Sequence, residues 1–310
     1  MARHAGPIVD AHHHLWTYDA GLHPWLADPA RKPLARDFGP GDHRQAFAGF
    51  PIAATVWIEA LSRDPEEEAA LASDWHDAHP DLCNALVAHV PLDASDAGTR
   101  LDRLKARFAG LRGVRDIISW APGRPSFARA PDLLTRPAFR RGLAELRDRE
   151  LSFDLMLLPH QLETAAAVLG EVEGLRVAVE HAASPEDQSR AGLELWLRGL
   201  KRIAALPGAI VKVSALHVLQ PGWTNTSLKR VFDPLVEVFG PERLCFGSDF
   251  PTHDLACPGA TALDSYLSLT SAWSAADQHA FFAGTAARFY RLSLPAAGRA
   301  GQGTASPRAA

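Results

Sequence analysis

The 310-residue sequence holds only three cysteines, Cys83, Cys245 and Cys257, and no C-x-x-C pair. An odd number of widely spaced thiols makes neither a disulfide framework nor a zinc knuckle, so disulfides are not expected to hold the fold. No apolar run approaches the roughly 20 residues that a membrane helix needs, and the opening Met1-Ala2-Arg3-His4 lacks the apolar stretch of a secretory signal. A cytoplasmic location without membrane contact is the resulting expectation. Basic blocks are missing too, and 32 Lys+Arg against 36 Asp+Glu leave a formal charge of −4. That balance argues against nucleic acid or an anionic bilayer as the main partner and favours a small molecule, with a homo-oligomer left open. A G-x-S-x-G elbow is absent, so a nucleophilic serine of that kind is not expected.

What the chain does have is apolar material in a regular rhythm. Short β-branched or apolar runs alternate with longer amphipathic stretches, which is the pattern of a parallel sheet covered by helices. Eight strands are predicted: Ile8–His14, Ile52–Glu59, Ala85–Pro91, Gly113–Ile118, Ser152–Leu157, Arg176–His181, Ala209–Ser214 and Arg243–Asp249. Between them, Asp64-Pro65-Glu66-Glu67 offers an N-cap acceptor, a first-turn proline and acids facing the dipole, so a helix is predicted from Pro65 to His79. Apolar stripes at helical spacing also run through 96–108, 138–149, 162–172, 188–205 and 228–239. Eight strands starting about 34 residues apart fit a closed (β/α)8 barrel, a distorted TIM barrel in one domain over 1–295, better than an open doubly wound sheet. The Gly-, Ala-, Ser- and Arg-rich stretch 296–310 is expected to be a disordered tail. The connection from Leu15 to Phe47 is about twice the usual length and holds Trp16, Tyr18, His23, Pro24 and Trp25, which predicts a segment folded over a pocket.

Histidine is the one compositional excess, with fourteen. The first strand ends Asp10-Ala11-His12-His13-His14, and strand alternation places His12 and His14 on one face at the C-terminal mouth of the barrel, with His13 pointing away. Such a pair can share a metal ion; a surface histidine run is the plainer alternative. Strand eight closes with Asp249 after Phe246-Gly247-Ser248, beside strand one in a closed barrel. A carboxylate there needs a cation or a proton to accept, unless it merely caps the turn before Pro251. His181 ends strand six on the face of Val177 and Val179, which is expected to point into the barrel, with Glu180 on the opposite face. Lys212, between Val211 and Val213, shares a face with Ser214 and suggests an anionic or carbonyl-bearing ligand, or else a structural acid as partner. Glu59 and Arg115 either serve the pocket or pair with each other, and Asp154 is a further acid among apolar neighbours.

These motifs together resemble the amidohydrolase superfamily. Asp10-Ala11-His12-His13-His14-Leu15-Trp16, Gly113-Val114-Arg115, Lys212-Val213-Ser214, Phe246-Gly247-Ser248-Asp249-Phe250-Pro251 and the closing Phe281–Tyr290 occur in the expected order over about 7–292. The likeness is narrower to the amidohydrolase-2 branch, which contains lactonases acting on sugar aldonolactones. The resemblance implies a barrel with its site at the C-terminal ends of the strands. It implies His12 and His14 as a metal-holding pair with Asp249, zinc being the expected divalent ion, and Glu59 adds charge that would favour a cation. Asp249 would take the proton of an attacking water, and His181 would stabilise the oxyanion. Arg115, Lys212, Asp154 and Trp16 would hold the substrate, a lactone or sugar acid. Two alternatives remain open at this point: a metal-dependent non-oxidative decarboxylase, which normally draws a histidine from strand five, and a barrel that binds a sugar acid without turnover.

Overall fold

The computed structural model describes residues 6–294; the tail expected over 296–310 lies outside the described residues. Eight strands form one sheet in sequential order, every neighbouring pair parallel: β1 Ile8–His13, β2 Ile52–Ile58, β3 Ala85–His89, β4 Leu111–Arg115, β5 Ser152–Leu155, β6 Val177–Val179, β7 Ala209–Val213 and β8 Leu244–Phe246. Helices cross between them, among them α1 Pro40–Ala46, α2 Pro65–Ala78, α3 Ala97–Arg107, α4 Pro137–Asp148, α5 Leu162–Gly170, α6 Arg190–Ala204, α7 Leu216–Leu219 and α8 Asn225–Phe239. This is the expected (β/α)8 TIM-barrel fold, and all eight strands fall inside or within two residues of their predicted runs. The start of α2 is set as its sequence dictates, with the Asp64 side chain accepting from Glu67 N at 3.0 Å and Pro65 in the first turn. Among the described residues no helix is long and apolar enough to cross a membrane, and the three cysteines are free.

Two apolar layers follow from the parallel sheet. Val9, Ala11, Ala54, Val56, Ile58, Val87, Ala178, Ile210 and Cys245 pack together across the inside of the barrel, closed at its base by Phe289 and Tyr290 of the final helix. The larger layer lies between the strands and the helices and includes Val177, Val179, Val211 and Val213. Strand six is therefore oriented opposite to the sequence-based expectation. Its valines face the helices, and Ala178 followed by Glu180 faces the interior. A parallel strand buried on both sides carries no polar face, so alternation alone does not reveal which side is in.

The seam between β8 and β1 is the weakest join in the ring. No continuous ladder closes it; the joins are a bridge between His13 and Phe250, His14 N to Phe250 O at 2.6 Å and Asp249 N to His12 O at 2.8 Å. Asp10 reinforces it from outside the barrel, accepting from Ser248 N at 2.8 Å and Ser248 Oγ at 2.6 Å while His43 Nε2 of α1 lies 2.9 Å from its other oxygen.

Candidate active site

Val9 and Ala11 both face the barrel interior, so an undisturbed strand would carry His13 inward. A register irregularity between Asp10 and His13 rephases β1, and His12 and His14 enter the site while His13 turns to Thr55 Oγ1 at 2.8 Å. The two inward rings meet with their Nε2 atoms 3.2 Å apart. Asp249 arrives from the end of β8 in the left-handed backbone region, φ 60°, and its Oδ1 lies 3.5 Å from His12 Nε2 and 3.6 Å from His14 Nε2.

The neighbours of these rings bias where their protons sit. His14 Nδ1 lies 2.8 Å from the Ile58 carbonyl, which only accepts, so Nδ1 donates and Nε2 presents a lone pair. His12 Nδ1 faces Glu180 Oε1 at 3.4 Å without a hydrogen bond between them, and the carboxylate favours the tautomer with the proton on that side and the lone pair toward His14. In that tautomer two lone pairs and a carboxylate oxygen converge with no donor between them. Their mutual spacing is that of atoms sharing one ion through bonds of about 2.0–2.2 Å in tetrahedral geometry, so the residues fit a divalent metal. Burial, followed by the charges of Lys212 and His181, keeps His12 well below the ordinary histidine value, as a metal ligand requires. Burial alone would raise Asp249; the neighbouring His181 and His14 outweigh it and hold the carboxyl below its ordinary value, hence ionised.

His181 reaches the site by a different route from the one the strand pattern suggests. β6 stops at Val179, and His181, Ala182, Ala183 and Ser184 all take positive φ between 51° and 61°. That left-handed run swings the imidazole inward, where Nδ1 lies 2.9 Å from Ser214 Oγ and the ring stands 4.6 Å from that of His12. Glu180, placed by alternation on the far side, also points in, between His12 and Arg115.

A cavity of about 340 Å³ opens over His14, His181 and Asp249, with Arg115 on its floor. Several residues expected to serve the metal or the substrate are held elsewhere. Glu59 is committed to Arg115, Oε1 to Nε at 2.6 Å, and accepts from Leu61 N at 2.7 Å, so it is not among the groups that could share an ion. Lys212 and Asp154 are both fully buried and pair with each other at 2.5 Å; Tyr290 donates to the same carboxylate oxygen at 2.6 Å. Neither borders the cavity, because a buried lysine and aspartate satisfy each other more cheaply than either could alone. Trp16 is also sealed, its Nε1 donating to Arg36 O at 2.8 Å. The indole that borders the cavity is Trp25, from the same long connection, held by a 2.8 Å bond to Ala60 O and accompanied by Arg31. No periodicity in that loop could have told one tryptophan from the other.

Comparison with known proteins follows the same line. The amidohydrolase family model (Amidohydro_2) matches residues 9–292. The L-fucono-1,5-lactonase of Burkholderia multivorans is 28% identical over 307 residues, with 94% of this chain and 98% of that protein covered. A Sinorhizobium fredii protein known as uncharacterized protein y4mH is 25% identical over 295 residues, with 92% and 98% covered. A crystal structure of an amidohydrolase from Burkholderia multivorans with bound zinc superposes with a TM-score of 0.82 at 26% identity, covering 93% of this chain and 100% of that one.

Proposed function

Because the chain belongs to the amidohydrolase family, we propose that it is a hydrolase that opens a lactone, a sugar-acid lactone or a related cyclic ester, by attack of water. The observation that carries this reading is the convergence of His12, His14 and Asp249 at 3.2–3.6 Å beneath an open cavity. The relative named as an L-fucono-1,5-lactonase supports it.

In this reading a water above Asp249 loses its proton to that carboxylate as it attacks the lactone carbonyl carbon. His181 faces the forming oxyanion: the tautomer in which Ser214 Oγ–H donates to Nδ1 leaves Nε2–H free to donate to it. Burial, against the opposing charges of Asp249 and Glu180, keeps this ring below the ordinary histidine value, so it acts as a neutral donor. Collapse of the tetrahedral intermediate expels the ring oxygen, which takes up the proton, and a hydroxy acid is released. Zinc or another divalent ion held by His12, His14 and Asp249 would polarise the carbonyl and acidify the water. Arg115, braced by Glu59 and Glu180, borders the floor where a carboxylate develops. The decarboxylase alternative has less support, since strand five brings no imidazole to this site and His160 borders an adjoining depression rather than the cavity itself.

A panel of γ- and δ-lactones assayed with a pH indicator, before and after chelation and with zinc added back, tests the reading. Ring opening that is lost on chelation and restored by zinc is expected. Acid release from none of the lactones, or release of carbon dioxide from a carboxylic acid, would overturn it; full turnover by metal-free protein would remove the metal alone.

A further inference from the structure

The walls of the cavity above the reacting groups are apolar. Trp25, Leu61, Ile117, Phe127, Leu219 and Leu255 form most of them. Leu255, on this rim, is the one large apolar side chain exposed among the described residues, at 37%.

The polar groups on the same walls are mostly spent on the protein itself. Arg124 pairs with Glu186 at 2.6 Å, and Arg115 with Glu59 and Glu180. Arg31 donates to Trp25 O at 3.2 Å and lies over the Phe127 ring at 5.1 Å. Ser126 Oγ donates to Ser119 O at 2.5 Å and accepts from Ala128 N at 2.9 Å. Beyond the reacting groups themselves, the walls offer a ligand's polar atoms the hydroxyls of Ser119, Ser184 and Thr252 and the unused N–H groups of Arg31 and Arg124 at the edge. A polyhydroxylated ring entering this space would exchange several bonds to water for apolar wall, whereas a hydrocarbon group would bury favourably.

We propose that the lactone opened here carries an apolar substituent, an alkyl chain or aryl ring, lodged against Trp25, Phe127 and Leu255 in place of the ring hydroxyls of a sugar lactone. This rests on the lactonase reading of the site and narrows its substrate class.

The test compares background-corrected hydrolysis of δ-decalactone and D-glucono-1,5-lactone by the full chain, wild type and Leu255→Ser. At least a tenfold higher kcat/KM for the alkyl lactone is expected. The Leu255→Ser change should reduce that preference several-fold, mainly through KM. Faster opening of the hydroxylated lactone overturns the inference and leaves the lactonase reading standing. If neither lactone opens, the γ- and δ-lactone panel decides that reading, and calorimetric binding of the corresponding non-hydrolysable lactams decides the cavity's preference. Tighter binding of the alkyl lactam upholds the apolar subsite, and equal or weaker binding overturns it.

Discussion

Asp249 occupies a left-handed backbone position, φ 60°, that Asp and Asn tolerate better than other side chains bearing a Cβ. Asp249→Asn therefore removes the charge with little backbone consequence. Turnover on any accepted lactone should fall by about 10²–10⁴-fold while the circular dichroism spectrum and melting temperature stay close to wild type; near wild-type turnover would take Asp249 out of the reaction. Lys212 makes the opposite kind of prediction, one about stability. Lys212→Met strands the fully buried Asp154 with only the neutral hydroxyls of Tyr290 and Ser152 as donors, and should cost about 3–5 kcal/mol in urea unfolding. Adding Asp154→Leu should recover most of it; no recovery would mean that the lost packing, not the lone charge, carries the cost. His12, His14 and Asp249 were legible in the sequence because polar groups that end apolar strands are expensive without a shared purpose. The same argument drew Lys212 toward the substrate, since sequence separates a lysine awaiting a ligand from one with an acid across the barrel only when the acid is known to face it.

At the level of elements, the seam between β1 and β8 is where stability and chemistry meet. Asp10 receives two bonds from Ser248 and faces His43, and Ser248 immediately precedes Asp249. Burial would raise the Asp10 carboxyl, but the hydrogen bond and charge of His43 outweigh it and hold it below the ordinary value, hence ionised. Asp10→Asn weakens these charge-assisted bonds and should cost about 1.5–3 kcal/mol, read as a lower urea midpoint. It should also lower kcat, because Asp249 loses its registration against His12. Unchanged stability and turnover would show that the backbone bonds at His12 and His14 hold the seam unaided. The strands, their order and the cap at Asp64 could be read from local pattern alone. The left-handed run from His181 to Ser184 could not: it contains no glycine to announce positive φ, and it alone carries His181 inward and leaves Glu180 beside it.

For the molecule as a whole, acid is the vulnerable direction. Burial holds His12, His13, His23, His181 and His217 below the ordinary histidine value of 6.5; His217, with His253 adding to the effect, is pushed down to about 4. For a depressed imidazole the unfolded chain takes up the proton first. The His217 contribution is thus intact above the unfolded value of 6.5, declines as pH falls toward 4, and changes no further below that. This one residue could account for up to about 3 kcal/mol. Urea midpoints should drop steadily from pH 7 to 4.5, and His217→Gln should flatten part of that slope; an unaltered slope would mean that His217 takes up its proton alike in both states. The barrel itself was legible because eight apolar runs at regular intervals admit few other arrangements, whereas its closure depends on contacts between remote segments that no window of sequence contains. Asp10 and Ser248 stand 238 positions apart. A ribosome making this protein therefore delivers the histidine pair long before its acidic counterpart emerges, so a product terminated between the two could expose free imidazoles but never hydrolyse an ester by this route.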